Sequence, residues 1–251
     1  MTLITLDDGH RRRHPLDPAV KWNALDVMSN SRNWISKLSN NRMRVARLRR
    51  AIGKAGPELI VSFCDRTNIL SLMAARGLAI PVIACERSDP AEQDLGKVWE
   101  WLRGRTYPRA SAIVALTSDS AEHLRSRFSV PVTVIPSAVD APPIHSDRQS
   151  AGEAKRIVAA GRLEYEKGFD RLLTAFSQLP ASDREWSLRI LGEGSQRRAL
   201  ETQIKTLGLR RQVSMPGWID SIWEELAAAT FFVLPSRYEG FPSALMEAMA
   251  V

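Results

Sequence analysis

The feature that most constrains this chain is an alternation of short apolar runs with helical stretches that plays through once, breaks, and restarts. Apolar runs at residues 2–6, 58–63, 80–84, 112–116 and 132–135 are separated by helical patterns near residues 33–54, 68–76, 91–103 and 118–127. Strand and helix in alternation require parallel strands joined by right-handed crossovers. Residues 137–153, with Pro142, Pro143, Ser146, Ser150 and Gly152, lose apolar periodicity and read as a linker. The alternation then resumes, with strands at 156–160, 187–191, 212–215 and 231–234 and helices at 168–178, 196–207, 221–229 and from just after Pro242. The expected fold class is α/β: two Rossmann-like, doubly wound parallel-sheet domains at 1–136 and 154–251. In open sheets of this kind ligands bind beyond the carboxyl ends of the strands.

Composition agrees with a packed globular chain: 44% of the 251 residues are hydrophobic and 25% charged, with 14 Gly in no regular period. No run approaches the ~20 apolar residues of a membrane-spanning helix, and the opening Met-Thr-Leu-Ile-Thr-Leu-Asp-Asp is unlike a signal peptide, so a cytoplasmic protein is expected. Cys64 and Cys85 end separate apolar runs and read as buried free thiols. His10 and His14 bracket Arg11, Arg12 and Arg13 and precede Pro15, a cationic loop rather than a metal-binding helix face, and there is no Asp-x-Asp. No metal is expected.

The net charge of +7 is local: residues 1–54 hold 12 basic and 4 acidic side chains, whereas residues 151–251 hold 13 of each. Arg42, Arg44, Arg47, Arg49 and Arg50 lie in a helical stretch whose Trp34, Leu38, Val45, Leu48 and Ile52 fall within about 80° of one another at 100° per residue. Two readings fit this basic amphipathic helix: a surface helix with a solvated arginine face, or attraction to an anionic membrane, where each basic side chain contributes ~1 kcal/mol. Nucleic acid fits less well, because no aromatic-interleaved basic groove accompanies the charge.

Two clusters carry chemistry. After the first strand of the second half comes Gly161-Arg162-Leu163-Glu164-Tyr165-Glu166-Lys167-Gly168-Phe169-Asp170, leading into a helix. Arg162 and Lys167 set two cations beside a helix N-terminus, which suits a diphosphate; an ordinary loop with a surface Arg and Lys fits the same residues. The second cluster, from Pro235 to Ala250, holds Glu239 in a loop, Gly240, Phe241, a Pro242 suited to a first helical turn, and Glu247 on the helix. Hydroxyl partners such as a ribose would explain Glu247, and so would an exposed helix face. Gly192-Glu193-Gly194 repeats the strand-glycine-helix pattern as cleft lining.

Gly-Arg-Leu-x-x-x-Lys-Gly-Phe-Asp, Leu-x-Ile-x-Gly-x-Gly and Glu-Gly-Phe-Pro-x-x-x-x-Glu-Ala-Met-Ala, in this order and spacing, resemble the second half of a family 4 (group 1) glycosyltransferase of the GT-B fold. Ile60–Phe63, Pro81–Ile83, Glu86-Arg87-Ser88-Asp89-Pro90 and Val134-Ile135-Pro136 more loosely resemble the acceptor domain of bacterial enzymes that build O-antigens, exopolysaccharides and lipid-linked oligosaccharides. The resemblance implies retaining, metal-independent transfer of a sugar from a nucleotide diphosphate, usually UDP, to a glycan or lipid-linked acceptor, with no cofactor. It matches Arg162 and Lys167 to the diphosphate, Glu239 to the donor sugar, Glu247 to the ribose, and Gly161 with backbone groups at Gly240, Phe241 and Pro242 to the donor site. Glu86 and Arg87 fall on the acceptor side, where many relatives carry a His.

Relatives open on a strand and Gly-rich loop and continue past Glu-Ala-Met-Ala with a Gly-x-Pro-Val strand, so the resemblance implies that both domains are incomplete here. The alternative to a sugar transferase is a truncated, non-catalytic remnant or partner protein that docks on an anionic membrane through the basic first segment. A GT-B epimerase or phosphorylase would need a catalytic His or cofactor Lys that the chain does not offer at a recognisable place.

Overall fold

The computed structural model describes residues 1–10, 16–28, 34–140, 142, 155–180, 183 and 185–251. Arg11–Arg13, His14 and most of the expected linker lie outside these residues, as do the side chains of Trp34 and Leu38. The chain divides into two compact units, Met1–Pro136 and Ser137–Val251.

The first unit is built on a fully parallel four-stranded sheet in the order β3 (Ile60–Phe63), β4 (Val82–Cys85), β5 (Ala112–Ala115), β6 (Val132–Val134). The strands are linked through α2 (Asp65–Ala74), α3 (Lys97–Thr106) and α4 (Ser118–Arg127). Ala84, Ile113, Ala115, Ala121, Leu124, Ile69 and Tyr107 pack between them with almost no exposure. The first apolar run does not join this sheet. It forms β1 (Thr2–Thr5), paired in parallel with β2 (Lys21–Ala24) as a separate two-stranded sheet. The sequence Lys-Trp-Asn-Ala carries no apolar run, so only its pairing reveals β2.

The long helix α1 (Trp34–Ala55) buries Leu48 and Ile52 against Leu70 and Ala74 of α2. Three of its arginines are spent on main-chain carbonyls: Arg44 donates to Val27 at 2.9 Å, Arg47 to Leu25 at 3.2 Å, and Arg49 to Ala74 and Arg76 at 2.7 and 2.6 Å. Arg49 thereby satisfies carbonyls at the α2 C-terminus, where a cation also complements the helix dipole. Three of the twelve basic side chains of residues 1–54 thus hold α1 in place.

One cysteine departs from expectation. Cys85 is buried at the end of β4, but Cys64 is exposed. It lies one residue past β3, at a φ of 69° in the turn that starts α2, outside the pleat that would have covered it.

The second unit holds a second parallel four-stranded sheet, with β7 (Arg156–Ala160), β8 (Ser187–Leu191), β9 (Val213–Gly217) and β10 (Phe231–Phe232). Helices α5 (Phe169–Ser177), α6 (Arg197–Thr206), α7 (Trp223–Ala227) and α8 (Ser243–Ala250) follow the strands in turn. The spatial order is β10-β7-β8-β9. The chain steps outward from β7 to β9 and then returns to the opposite side of β7. That reversal puts a topological switch point between β7 and β10, where the loops leaving two adjacent strands diverge and leave a crevice. Apolar residues fill both faces: Leu163, Phe169, Leu173, Leu188, Ile190 and Leu200 on one, and Val158, Ala160, Leu191 and Leu226 on the other.

Among the described residues no helix is long and apolar enough to cross a membrane, and no three His, Cys, Asp or Glu side chains are grouped to hold a metal ion.

Candidate active site

The two chemistry-bearing clusters are the loops that leave the switch point. Residues 161–168 follow β7, and residues 233–242 follow β10. Between Ala160 and α5 the first loop makes a single 3-10 turn, Tyr165–Lys167, and ends on Gly168 at a φ of 67°. A Cβ at Gly168 would lie 2.1 Å from the Pro235 carbonyl oxygen, so this glycine admits both the left-handed backbone and the contact with the second loop. From below, Gly192 supports the first loop in the same way: a Cβ there would lie 2.0 Å from the carbonyl oxygen of Gly161. The expected cleft-lining glycines therefore act as backbone spacers under residues 161–163, with Leu163 N–H donating to Glu193 O at 2.9 Å.

This packing brings Lys167 to Glu239. The Lys167 ammonium is 2.7 Å from Oε1 and 2.8 Å from Oε2, and the Ser236 hydroxyl donates to Oε1 at 2.6 Å. Both charged side chains are under one-fifth exposed. Arg162 points elsewhere: its guanidinium is largely exposed and pairs with Glu166 Oε1 at 2.9 Å. The two cations thus share one loop, with Lys167 largely sheltered and Arg162 open to solvent.

Gly240, Phe241 and Pro242 are partly buried at the start of α8. Glu247 lies one turn further on, partly buried on α8, where burial and then the charge of Asp140 push its carboxyl up. Residues that the sequence did not single out fasten the loops together. Arg237 donates to both oxygens of Asp170, at 2.8 and 2.7 Å, and holds the Asp170 carboxyl below the usual carboxylate range. Glu164 accepts from the Ser195 hydroxyl at 2.6 Å and the Ser195 N–H at 2.9 Å, which lowers its carboxyl too. Strand order makes both pairings: β10 beside β7 brings Arg237 to Asp170, and β8 on the other side of β7 brings Ser195 to Glu164.

In the first unit Glu86 and Arg87 part company. Arg87 is exposed. Glu86 is 1% exposed and pairs with the fully buried Arg103 at 3.1 Å, and the Tyr107 hydroxyl donates to the same oxygen. The Asn68 amide joins through Tyr107 at 3.3 Å and the Cys85 carbonyl at 3.0 Å. Burial pushes the Glu86 carboxyl up, while Arg103 and Tyr107 pull it back. Glu86, expected on the acceptor side, thus has its carboxylate inside the first unit, anchored just past the end of β4 by the buried Arg103 guanidinium.

Two parallel α/β units in sequence, the second with a Lys-Glu pair at its switch point, define a protein of the GT-B fold class. Anabaena HepE in complex with UDP-glucose matches at a TM-score of 0.70, with 19% identity over 92% of this chain and 65% of that one. The lipopolysaccharide outer core galactosyltransferase WaaB matches at 0.60, with 19% identity over 92% and 63%. Family models match almost end to end: Glycosyl transferase 4-like domain over residues 1–138 and Glycosyl transferases group 1 over residues 140–251. The chain belongs to the group 1 glycosyltransferase family. Among curated relatives, an α-1,4-N-acetyl-D-galactosaminyltransferase of Campylobacter jejuni, named for an undecaprenol-diphosphate-linked saccharide, is 28% identical over 85% of this chain and 58% of its own length. The lipopolysaccharide 1,6-galactosyltransferase of Salmonella typhimurium is 27% identical over 69% and 53%. The chain thus spans little more than half the length of these relatives.

Proposed function

We propose that the chain serves a retaining, metal-independent sugar transfer from a nucleoside diphosphate sugar, UDP-linked, to a glycan or lipid-linked acceptor in bacterial cell-surface polysaccharide synthesis. The observation that carries this reading is the Lys167–Glu239 pair at the mouth of β7 and β10. In the transfer the bond between the anomeric carbon and the β-phosphate oxygen breaks, the nucleoside diphosphate leaves with the electron pair, and the acceptor oxygen bonds to the same carbon. The acceptor hydroxyl proton passes to the departing phosphate. Charge grows on the diphosphate, so fixed cations aimed there do the most for the rate. Lys167 supplies one from its sheltered position, and Arg162, exposed on the same loop, supplies the second by turning from Glu166 onto the diphosphate; Glu239 accepts from a sugar hydroxyl, Glu247 holds the ribose, and Gly161, Gly240, Phe241 and Pro242 line the donor. Arg87 remains the acceptor-side contact. The HepE structure with UDP-glucose and the undecaprenol-linked substrate in the Campylobacter relative's name support this choice of donor and acceptor.

Titration calorimetry with UDP tests it. Hydrogen bonds to charged groups contribute ~1.5–3 kcal/mol, so Lys167→Ala and Arg162→Ala should each weaken UDP binding at least tenfold. Unchanged affinity in both variants would overturn the reading.

A second reading, peripheral contact with the anionic cytoplasmic face of a membrane, is favoured by α3 rather than by α1. Lys97, Val98, Trp101 and Arg105 share one helix face; Val98 and Trp101 are 69% and 58% exposed, and the Arg105 guanidinium lies 5.0 Å from the Trp101 ring centroid. An exposed Trp among cations suits the headgroup layer. Trp101→Ser with Arg105→Gln should reduce sedimentation with phosphatidylglycerol vesicles and leave UDP binding intact; equal sedimentation on neutral vesicles would count against it.

A further inference from the structure

The loops after β7 and β10 are joined by more than the Lys167–Glu239 pair. Arg237 stands two residues before Glu239, and its guanidinium grips Asp170 with two parallel bonds, Nη1 to Oδ1 at 2.8 Å and Nη2 to Oδ2 at 2.7 Å. Nη1 also donates to the Tyr165 carbonyl at 2.6 Å, the guanidinium carbon lies 3.9 Å from the Tyr165 ring centroid, and the Arg237 N–H donates to Glu166 O at 2.7 Å. The Asp170 carboxylate accepts as well from the Arg171 N–H in the first turn of α5, which fixes that end to the helix. Residues on both sides of Lys167, namely Tyr165 and Glu166 before it and Asp170 after it, are therefore fastened to one arginine.

An ordinary exposed ion pair contributes little. This one is a planar fork matched to a carboxylate, with a ring face and a carbonyl as further partners, and although the Asp170 side chain is 47% exposed, that of Arg237 is only 12% exposed. Its effect is geometric. Lysine is a point charge on a flexible stem, so the location of its ammonium depends on how firmly its backbone is held, and a misplacement of about 1 Å can cost ~100-fold in a reaction that relies on alignment.

We propose that Asp170 and Arg237 form a positioning pair that holds Lys167 opposite Glu239, and so sets where the diphosphate cation stands at the switch point. The inference rests on the donor-site reading above. Electrostatics alone gives the opposite sign: neutralising a carboxylate beside an anion site should strengthen anion binding.

The test is calorimetry of the full chain with UDP, on Asp170→Asn, Lys167→Ala and the double variant. Asp170→Asn should weaken UDP at least tenfold in the otherwise unchanged chain, and by less than twofold when Lys167 is already alanine. Arg237→Lys, which keeps the charge and loses the fork, should behave as Asp170→Asn does, and carries the test if Asp170→Asn fails to fold. Unchanged or tighter UDP binding overturns the positioning role. So does an equal fold-loss in both Lys167 backgrounds, which marks a general structural effect. If the unaltered chain binds neither UDP nor GDP, the donor-site reading itself fails, and that is seen before any variant is made.

Discussion

The Lys167 ammonium lies 2.7 and 2.8 Å from the two carboxylate oxygens of Glu239, across 72 residues of sequence. In this arrangement the cation assigned to the diphosphate and the carboxylate assigned to the sugar neutralise each other. A lysine has three N–H donors, so an arriving diphosphate competes with Glu239 for them. Glu239→Gln should therefore tighten UDP binding by about three- to tenfold, on the scale of ~1 kcal/mol for a part-exposed pair, while UDP-glucose gains no affinity over UDP. Calorimetry with both nucleotides checks this; weaker UDP binding in Glu239→Gln would count against the exchange.

The internal anchor in the first unit should be intolerant of half-removal. Arg103→Met would leave the Glu86 carboxylate buried without its guanidinium, a change that typically costs about 3–5 kcal/mol. The paired replacement Glu86→Gln with Arg103→Met should recover part of that loss, because the two positions are coupled. The sign with pH follows from the raised Glu86 carboxyl. A folded pKa above the unfolded ~4.3 is a penalty present at high pH and relieved as pH falls through the folded value. Urea unfolding of Arg103→Met should show a smaller deficit at pH 5 than at pH 8, and an equal deficit at both would refute the account.

Glycine tolerance should divide sharply. At Gly168 a Cβ would lie 2.1 Å from the Pro235 oxygen on a φ of 67°. The left-handed backbone alone costs roughly 1–2 kcal/mol for alanine, so Gly168→Ala should lose at least that much and weaken UDP. At Gly53, inside α1, a Cβ would meet nothing within 4 Å. Gly53→Ala should gain about 0.5–1 kcal/mol. Thermal unfolding of the two variants measures both directions.

Acid should loosen the second unit through two carboxylates. Asp170 is lowered by its bonds to Arg237, and Glu164 by the Ser195 hydroxyl and N–H. With folded pKa values below the unfolded ~3.9 and ~4.3, their stabilisation is present above those values and is lost as pH falls through the folded ones. Tm measured from pH 2.5 to 6 should show Ser195→Ala below the unaltered chain near pH 6, with the gap closing at the acid end. A gap independent of pH would argue against this origin.

The core strands were legible because a strand buried on both faces reads as a continuous apolar run. Arg156–Ala160 and Ser187–Leu191 match to the residue. Helix starts were less so. α3 begins at Lys97 rather than near Ala91, because the Asp89 and Asp94 side chains accept from the N–H groups of Ala91 and Gly96, and Gly96 takes a φ of 82°. β2 was not legible because Lys-Trp-Asn-Ala carries no apolar run and half of its residues are exposed. In the candidate site, Lys167 and Glu239 could be named from their spacing within two motifs, but not that they touch. The Asp170–Arg237 fork and the burial of Glu86 arise from strand order and core closure, which no local pattern encodes.

The contact between Gly168 and the Pro235 carbonyl has an evolutionary consequence. At this point main chain meets main chain, and the Asp170–Arg237 fork fastens the same two loops, so rim residues such as Tyr238 and Phe241 can change one at a time without resetting the spacing of Lys167 and Glu239. A lineage built on this joint can vary the rim of the mouth by single substitutions while the Lys167–Glu239 spacing is inherited unchanged.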